Sequence, residues 1–123
     1  MKLRFRANTL RLRVNRGEVD RLAAGEALEE EIAFPNSAHL RYIFQSASGN
    51  EPLVSFQDGV IRVIAPLAQV QDWAHAEAIG LYFDIPADKN MLKVSIEKDL
   101  QCIDAPPDEF DPDAFPRETK GNC

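Results

Sequence analysis

The chain is short of the residues that usually announce chemistry. Its 123 residues include two histidines, two cysteines and one tryptophan. No Cys-x-x-Cys, no histidine pair at i,i+4, no Gly-x-Ser-x-Gly, no P-loop and no dinucleotide fingerprint occurs. The spacings that make a zinc or di-metal site are therefore missing, and so are the motifs of covalent and nucleotide-dependent catalysis. Cys102 is flanked by Asp99 and Asp104, acidic neighbours that raise a thiol pKa rather than lower it. Cys102 and Cys123 lie in a segment rich in Pro and Asp and read as free thiols rather than a disulfide framework.

Long apolar runs are missing as well. The head, Met1-Lys-Leu-Arg-Phe-Arg6, carries charge at once and lacks the about 7 to 15 consecutive apolar residues of a secretory signal. No stretch approaches the about 18 needed to span a bilayer. A cytoplasmic protein without a membrane partner is expected. An apolar fraction of 45% in a chain of this length is enough for the core of one domain.

What is present is charge, unevenly placed. From Met1 to Arg16 there are six basic residues and no acidic one, whereas Glu97 to Cys123 carries eight acidic and three basic residues. The net charge of -6 disfavours nucleic acid, which needs a dominant positive field, although a local basic face can survive within it.

A faint repeat at an offset of 51 residues organises the middle of the chain. It aligns Arg11 with Arg62, Val19 with Val70, Ala23 with Ala74 and Pro35 with Pro86, and it keeps apolar character at Leu10/Ile61, Leu28/Ile79, Ile32/Phe83 and Phe34/Ile85. The local patterns agree with two related units. Leu3 and Phe5 alternate with Arg4 and Arg6, then Leu10, Leu12 and Val14 alternate with Arg11 and Arg13. The parity slips by one across Asn8-Thr9, which predicts a strand with a bulge or bend hinged at Asn8. Asn15 with Glu18 forms a capping box, Val14 with Val19 a hydrophobic staple, and Gly25 a C-cap, so a helix is expected over about residues 16 to 24.

Strands follow at 28–34, where Glu30 is the one misfit on the apolar side, and at 40–45, joined by Pro35-Asn-Ser37. Asp58-Gly59 is a type I′ hairpin signal between 53–56 and 60–65, and the second of these runs reads as buried on both faces. Pro66 suits the first position of a second helix over 67–76, and 79–85 with 92–96 forms a closing hairpin. The predicted fold is a single α+β domain over residues 1–103, with about eight strands, two short helices and a mainly antiparallel, curved or barrel-like sheet, built as two strand-helix-strand-strand units. Residues 104–123 form an acidic, Pro-rich tail, with Phe110 and Phe115 as apolar anchors that partly dock it.

The arginine row is the clearest candidate surface. Arg4, Arg6, Arg11 and Arg13 project from the side opposite the core residues, with Asn8 at their turning point, and guanidinium groups so placed suit phosphates or carboxylates. The plainer alternative, which the spacing favours, is a cross-strand ion-pair network with Glu97 and Asp99. Glu97, Asp99 and Cys102, with His39 or His75, would be the residues of a small enzyme or metal protein. No catalytic constellation, cofactor or metal set emerges from them, and both histidines read as surface residues. The leading expectation is a binding or interaction module meeting an anionic ligand or protein at the arginine row, the acidic tail competing for it. A homodimer joined through an exposed sheet edge is a further reading.

The head Lys2-Leu-Arg-Phe-Arg-Ala-Asn-Thr-Leu-Arg-Leu-Arg13, the segment Glu97-Lys-Asp-Leu-Gln-Cys102 and Asp113-Ala-Phe-Pro116 resemble a family of short bacterial proteins known only as a domain of unknown function. The resemblance spans nearly the whole chain and brings no activity. It implies that the basic strand, Glu97 to Asp99, Cys102 and Phe115-Pro116 belong to one structural unit over which the tail folds back. The chain departs from the family pattern at Arg117, where an Asn-Pro ending is expected.

Overall fold

A computed structural model describes residues 1–99, 113 and 115. Eight strands and two helices run in the order β1 (Lys2–Arg6), β2 (Thr9–Val14), α1 (Arg16–Ala23), β3 (Leu28–Ala33), β4 (His39–Ala47), β5 (Leu53–Gln57), β6 (Val60–Pro66), α2 (Leu67–His75), β7 (Gly80–Ala87) and β8 (Asn90–Lys98). The class is α+β. The strands divide between two four-stranded sheets, β1-β2-β8-β7 and β3-β4-β6-β5, neither of them closed into a barrel. Each sheet has two antiparallel pairs at its flanks and one parallel pair, β2–β8 or β4–β6, at its centre.

The repeat is visible in the architecture. Adding 51 carries Lys2–Arg6 onto Leu53–Gln57, the start of β2 onto that of β6, the start of α1 onto that of α2, and His39–Ala47 onto Asn90–Lys98. Each unit is thus strand-strand-helix-strand-strand, one strand longer than the periodicity suggests. The units interlock: the hairpin that opens one unit pairs with the hairpin that ends the other, and the helices carry the chain between sheets.

Cross-strand rows show how the two halves correspond. Leu3, Leu12, Ile96 and Leu81 stand opposite one another in the first sheet, and Val54, Val63, Phe44 and Leu28 do so in the second. Leu12, Ile96, Val63, Phe44 and Leu28 are all buried in one core with Val19, Leu22, Val70 and Trp73 of the helices. The register makes Leu81, not Ile79, the counterpart of Leu28, and Ile85, not Phe83, the counterpart of Ile32. A shift of two residues preserves strand parity, so the aligned sequences look equally apolar in either frame.

The next row in the two sheets is Phe5, Leu10, Val94, Phe83 and Phe56, Ile61, Tyr42, Glu30. Glu30 therefore does point to the apolar side. Its charge is met by the Met1 ammonium at 3.4 Å, and that ammonium also lies 2.6 Å from Glu18. The start of β1 is fixed against β3 in this way, and Tyr42 adds to it by donating its hydroxyl to the Met1 carbonyl at 3.1 Å.

Most turn and cap signals appear as expected. Asn15 accepts from the Glu18 amide at 2.9 Å, and the Glu18 carboxylate accepts from the Asn15 amide at 3.0 Å. Gly25, at φ 89°, ends α1 in a Schellman motif, its amide donating to Leu22 and that of Glu26 to Arg21. The parity slip at Asn8 is not a bulge. It is a chain reversal, since Arg6 stands opposite Thr9 with Ala7 and Asn8 as a two-residue turn. Ala7 takes a positive φ of 49°, where glycine would be usual, and so the turn leaves no glycine signature. The run Val60 to Pro66 also differs from expectation, alternating buried and partly covered residues, because Val60, Arg62 and Ile64 face outward, Arg62 donating to the Gln45 side chain. Pro66 caps α2 from outside, one residue before the helix.

Gly59 is required twice over. Its φ is 76°, and a Cβ there would lie 2.8 Å from the His39 carbonyl, which belongs to the neighbouring strand. Gly59→Ala should lower unfolding stability in urea by about 2 kcal/mol, the sum of left-handed strain and a contact with backbone that cannot yield.

Candidate functional site

The outer face of the first sheet is built by alternation alone. Residues directly opposite in register share a face, so three rows cross this surface. They are Lys2, Arg13, Glu97 and Gly80; Arg4, Arg11, Ser95 and Tyr82; and Arg6, Thr9, Lys93 and Asp84. Sequence reasoning placed Arg4, Arg6, Arg11 and Arg13 on one surface, and the hairpin brings them together more closely than a bent strand would. Arg4 faces Arg11 directly, and Lys2 faces Arg13.

Glu97 is the hub. Its Oε1 lies 3.2 Å from Arg11 Nε and 4.0 Å from Arg13 Nε, and its Oε2 accepts from the Tyr82 hydroxyl at 3.0 Å. One carboxylate thus serves two guanidiniums. The Arg11 Nε is buried and makes an ion pair without an aligned hydrogen bond. Asp99, also buried, pairs with Lys2 Nζ at 2.8 Å. The ion-pair network expected from the sequence exists, but it is partial: among the described residues, neither Arg4 nor Arg6 has a carboxylate in ion-pair range.

Tyr82 and Lys93 complete the surface and were not singled out by sequence reasoning. The signal for Tyr82 is Gly80 two positions earlier on the same face. A Cβ on Gly80 would lie 2.7 Å from the Tyr82 hydroxyl, so the ring lies across the glycine to reach Glu97. The Tyr82 pKa is raised above 10.0, first by burial and then by the hydrogen bond to Glu97 and its charge.

The other candidates fall elsewhere. Asn8 is a structural turn residue, its side chain donating to the Met91 carbonyl at 2.8 Å and its own carbonyl accepting from Lys93 at 3.0 Å. His39 begins β4 on the surface and pairs with Glu31 at 2.8 Å, while His75 ends α2, exposed. Among the described residues no group of three or more His, Cys, Asp or Glu is placed to hold a metal ion. Cys102, Phe110 and the acidic residues from Asp104 to Asp111 lie outside the described residues.

Beside this face, Asp113 and Phe115 meet the start of α1 and the end of β8. The Asp113 carboxylate accepts from the Gly17 amide at 2.9 Å and its carbonyl from the Arg16 amide at 3.1 Å, adding an acid at a helix N-terminus. The Phe115 amide donates to Asp99 at 2.8 Å, and its ring packs on the core with the Arg16 and Lys98 cations each 5.5 Å away. Lys98 is buried, its ammonium donating to the Ala76 carbonyl at 2.8 Å and lying 5.7 Å from the Trp73 ring. Burial lowers its pKa.

The chain belongs to the family of unknown function DUF7009, whose model matches residues 1–119. No curated protein and no solved structure matches it. No helix among the described residues is long and apolar enough to cross a membrane.

Two predictions follow from these contacts. Because the folded pKa of Tyr82 exceeds that of the unfolded chain, its contribution to stability is whole below about pH 10 and is lost as pH rises through the folded value. Denaturation series should show Tyr82→Phe losing less stability than the natural chain between pH 9 and pH 11, and equal slopes would refute the assignment. Truncation after Asp104 removes Asp113 and Phe115 and should lower the melting temperature by several degrees, given that burying a phenylalanine contributes about 2 kcal/mol. Truncation after Pro116 should leave the melting temperature unchanged.

Proposed function

We propose that the protein is a small binding and interaction module that recognises an anionic partner on the outer face of the β1-β2-β8-β7 sheet. One observation carries the proposal: Arg4 and Arg11 stand directly opposite each other on one hairpin, with Lys2 opposite Arg13 beside them. Like charges opposite one another cost stability in a sheet, so a fold under no other demand would separate them or give each a carboxylate. Among the described residues Glu97 relieves Arg11 and Arg13, and Asp99 relieves Lys2, while Arg4 and Arg6 stand exposed at the solvent edge of the row. An incoming phosphate or carboxylate would complete the face, and Arg offers the bidentate geometry for it.

The net charge of -6 gives this face selectivity, because the field beyond it repels polyanions that do not dock closely. In this reading residues 1–103 form one cytoplasmic domain, and the acids of the segment from 104 onward compete with the partner for the arginines. The role is binding and not catalysis.

The test uses two probes, polyphosphate and poly-aspartate, titrated against the full chain at several salt concentrations. Binding that weakens with salt, and that falls at least about tenfold in Arg4→Glu/Arg6→Glu but not in Arg21→Glu on α1, is expected. Equal affinity of the natural chain and the β1 variant for both probes would overturn the proposal.

A further inference from the structure

Among the described residues the two sheets have four edges, which are chemically different, and two of them match. β1 and β7 are the edges of one sheet, β3 and β5 those of the other. β7 is blunted by Pro86, which has no amide to donate, and the outward residues of β5, Leu53, Ser55 and Gln57, are uncharged. β1 turns Lys2, Arg4 and Arg6 outward, and β3 turns Glu29 and Glu31 outward, where they also meet Arg41 and His39 of β4.

The apolar sides match too. On β1, Leu3 and Phe5 face inward, and Phe5 is 58% exposed although it stands opposite the buried Leu10. On β3, Ile32 faces inward and is 43% exposed, and Phe34, next on the same side, is 49% exposed. The two edges lie on the same flank, because the Met1 ammonium reaches Glu30 of β3 and the Met1 carbonyl accepts from Tyr42 of β4.

We infer that this flank is an interface with a second copy of the chain, in which β1 of each copy pairs antiparallel with β3 of the other. A two-fold interface needs a surface complementary to itself, and a basic edge beside an acidic edge is such a surface. Strand parity makes the match consistent. In the antiparallel register that sets Arg4 opposite Glu31 and Arg6 opposite Glu29 of the second copy, Leu3 stands opposite Ile32, and Phe5 stands opposite Glu30 with Ile32 diagonal to it. Pairing β1 with itself would set Lys and Arg beside their own copies, and pairing β3 with itself would do the same with Glu. The backbone is ready as well: Arg6 and Thr9 close a two-residue hairpin and exchange hydrogen bonds, as do Arg4 with Arg11, so the amides and carbonyls of Leu3 and Phe5 point to the open edge.

The strand pairing gives Arg4 and Arg6 carboxylates from the second copy, so it competes with an anion for these residues, and sedimentation without any probe tests it apart from anion binding. The experiment is sedimentation of the full chain from micromolar to millimolar concentration, with hydrogen exchange at both ends of the range. The mass should double with concentration, and the Leu3 and Phe5 amides should gain protection in step. Arg4→Glu/Arg6→Glu and Glu29→Arg/Glu31→Arg should each be monomers with circular dichroism like that of the natural chain. An equimolar mixture of the two variants should regain the dimer, because each altered edge then meets its complement. Phe5→Asp gives a second monomeric variant that leaves β3 untouched, should the arginine substitutions unfold it. A monomer mass at every concentration, a dimer that survives the β1 charge reversal, or a dimer whose Leu3 and Phe5 amides exchange as fast as in the monomer would each overturn the inference.

Discussion

The two parallel pairings, β2 with β8 and β4 with β6, are the constraint on which the rest of the molecule depends. Each lies at the centre of its sheet and joins strands from different halves of the chain. Neither half alone contains a complete sheet: residues 1–47 supply an outer hairpin to one sheet and two strands to the other. The core is single for the same reason. Leu10, Leu12, Val94 and Ile96 bury their side chains from one sheet against Phe44, Ile61 and Val63 of the other, and the helices seal it through Val19, Leu22, Val70 and Trp73.

The two halves use this shared plan with different chemistry at equivalent points. Ser46 of β4 donates to the Leu22 carbonyl of α1, and Lys98 of β8 donates to the Ala76 carbonyl just past α2. Both tie the end of a central strand to the end of a helix, one with a hydroxyl and one with a buried cation between aromatic rings. Glu30 and Phe83 occupy corresponding places in the flanking strands, and the charge at Glu30 is answered by the Met1 ammonium. The outer faces diverge most. One carries the cationic rows around Glu97, and the other pairs Glu29 with Arg41 and Arg62 with Gln45.

Much of the local structure was legible because it is written locally. The Asn15 to Glu18 capping box, the glycine at 25 and the Asp58-Gly59 turn each depend on side chains within a few residues of one another. The arginine row was legible because period-two alternation needs no knowledge of the partner strand. What could not be read has physical reasons. Ala7 accepts a left-handed φ without advertising it, so a hairpin resembled a bulged strand. The drift between the halves displaces β7 by two residues from its alignment with β3, which leaves its apolar pattern intact. The division into two sheets rests on pairings such as Leu12 with Ile96, and no local pattern encodes a contact between residues so far apart. Tyr82 was hidden for a related reason: its role comes from reaching Glu97 over Gly80, across strands.

The interlocked order of strands has a bearing on how the chain reaches this state. The β1-β2 hairpin can form by itself, yet its apolar side gains its central neighbour only when residues 90–98 arrive. On a growing chain that means nearly the whole domain must emerge before Leu10 and Leu12 find their lasting partners. Long-range closure of this kind slows folding and prolongs the exposure of unpaired strands. The lysine and arginines of β1 then act as gatekeepers: like charges on nascent hairpins repel one another, which keeps the waiting edges apart until β8 comes into place.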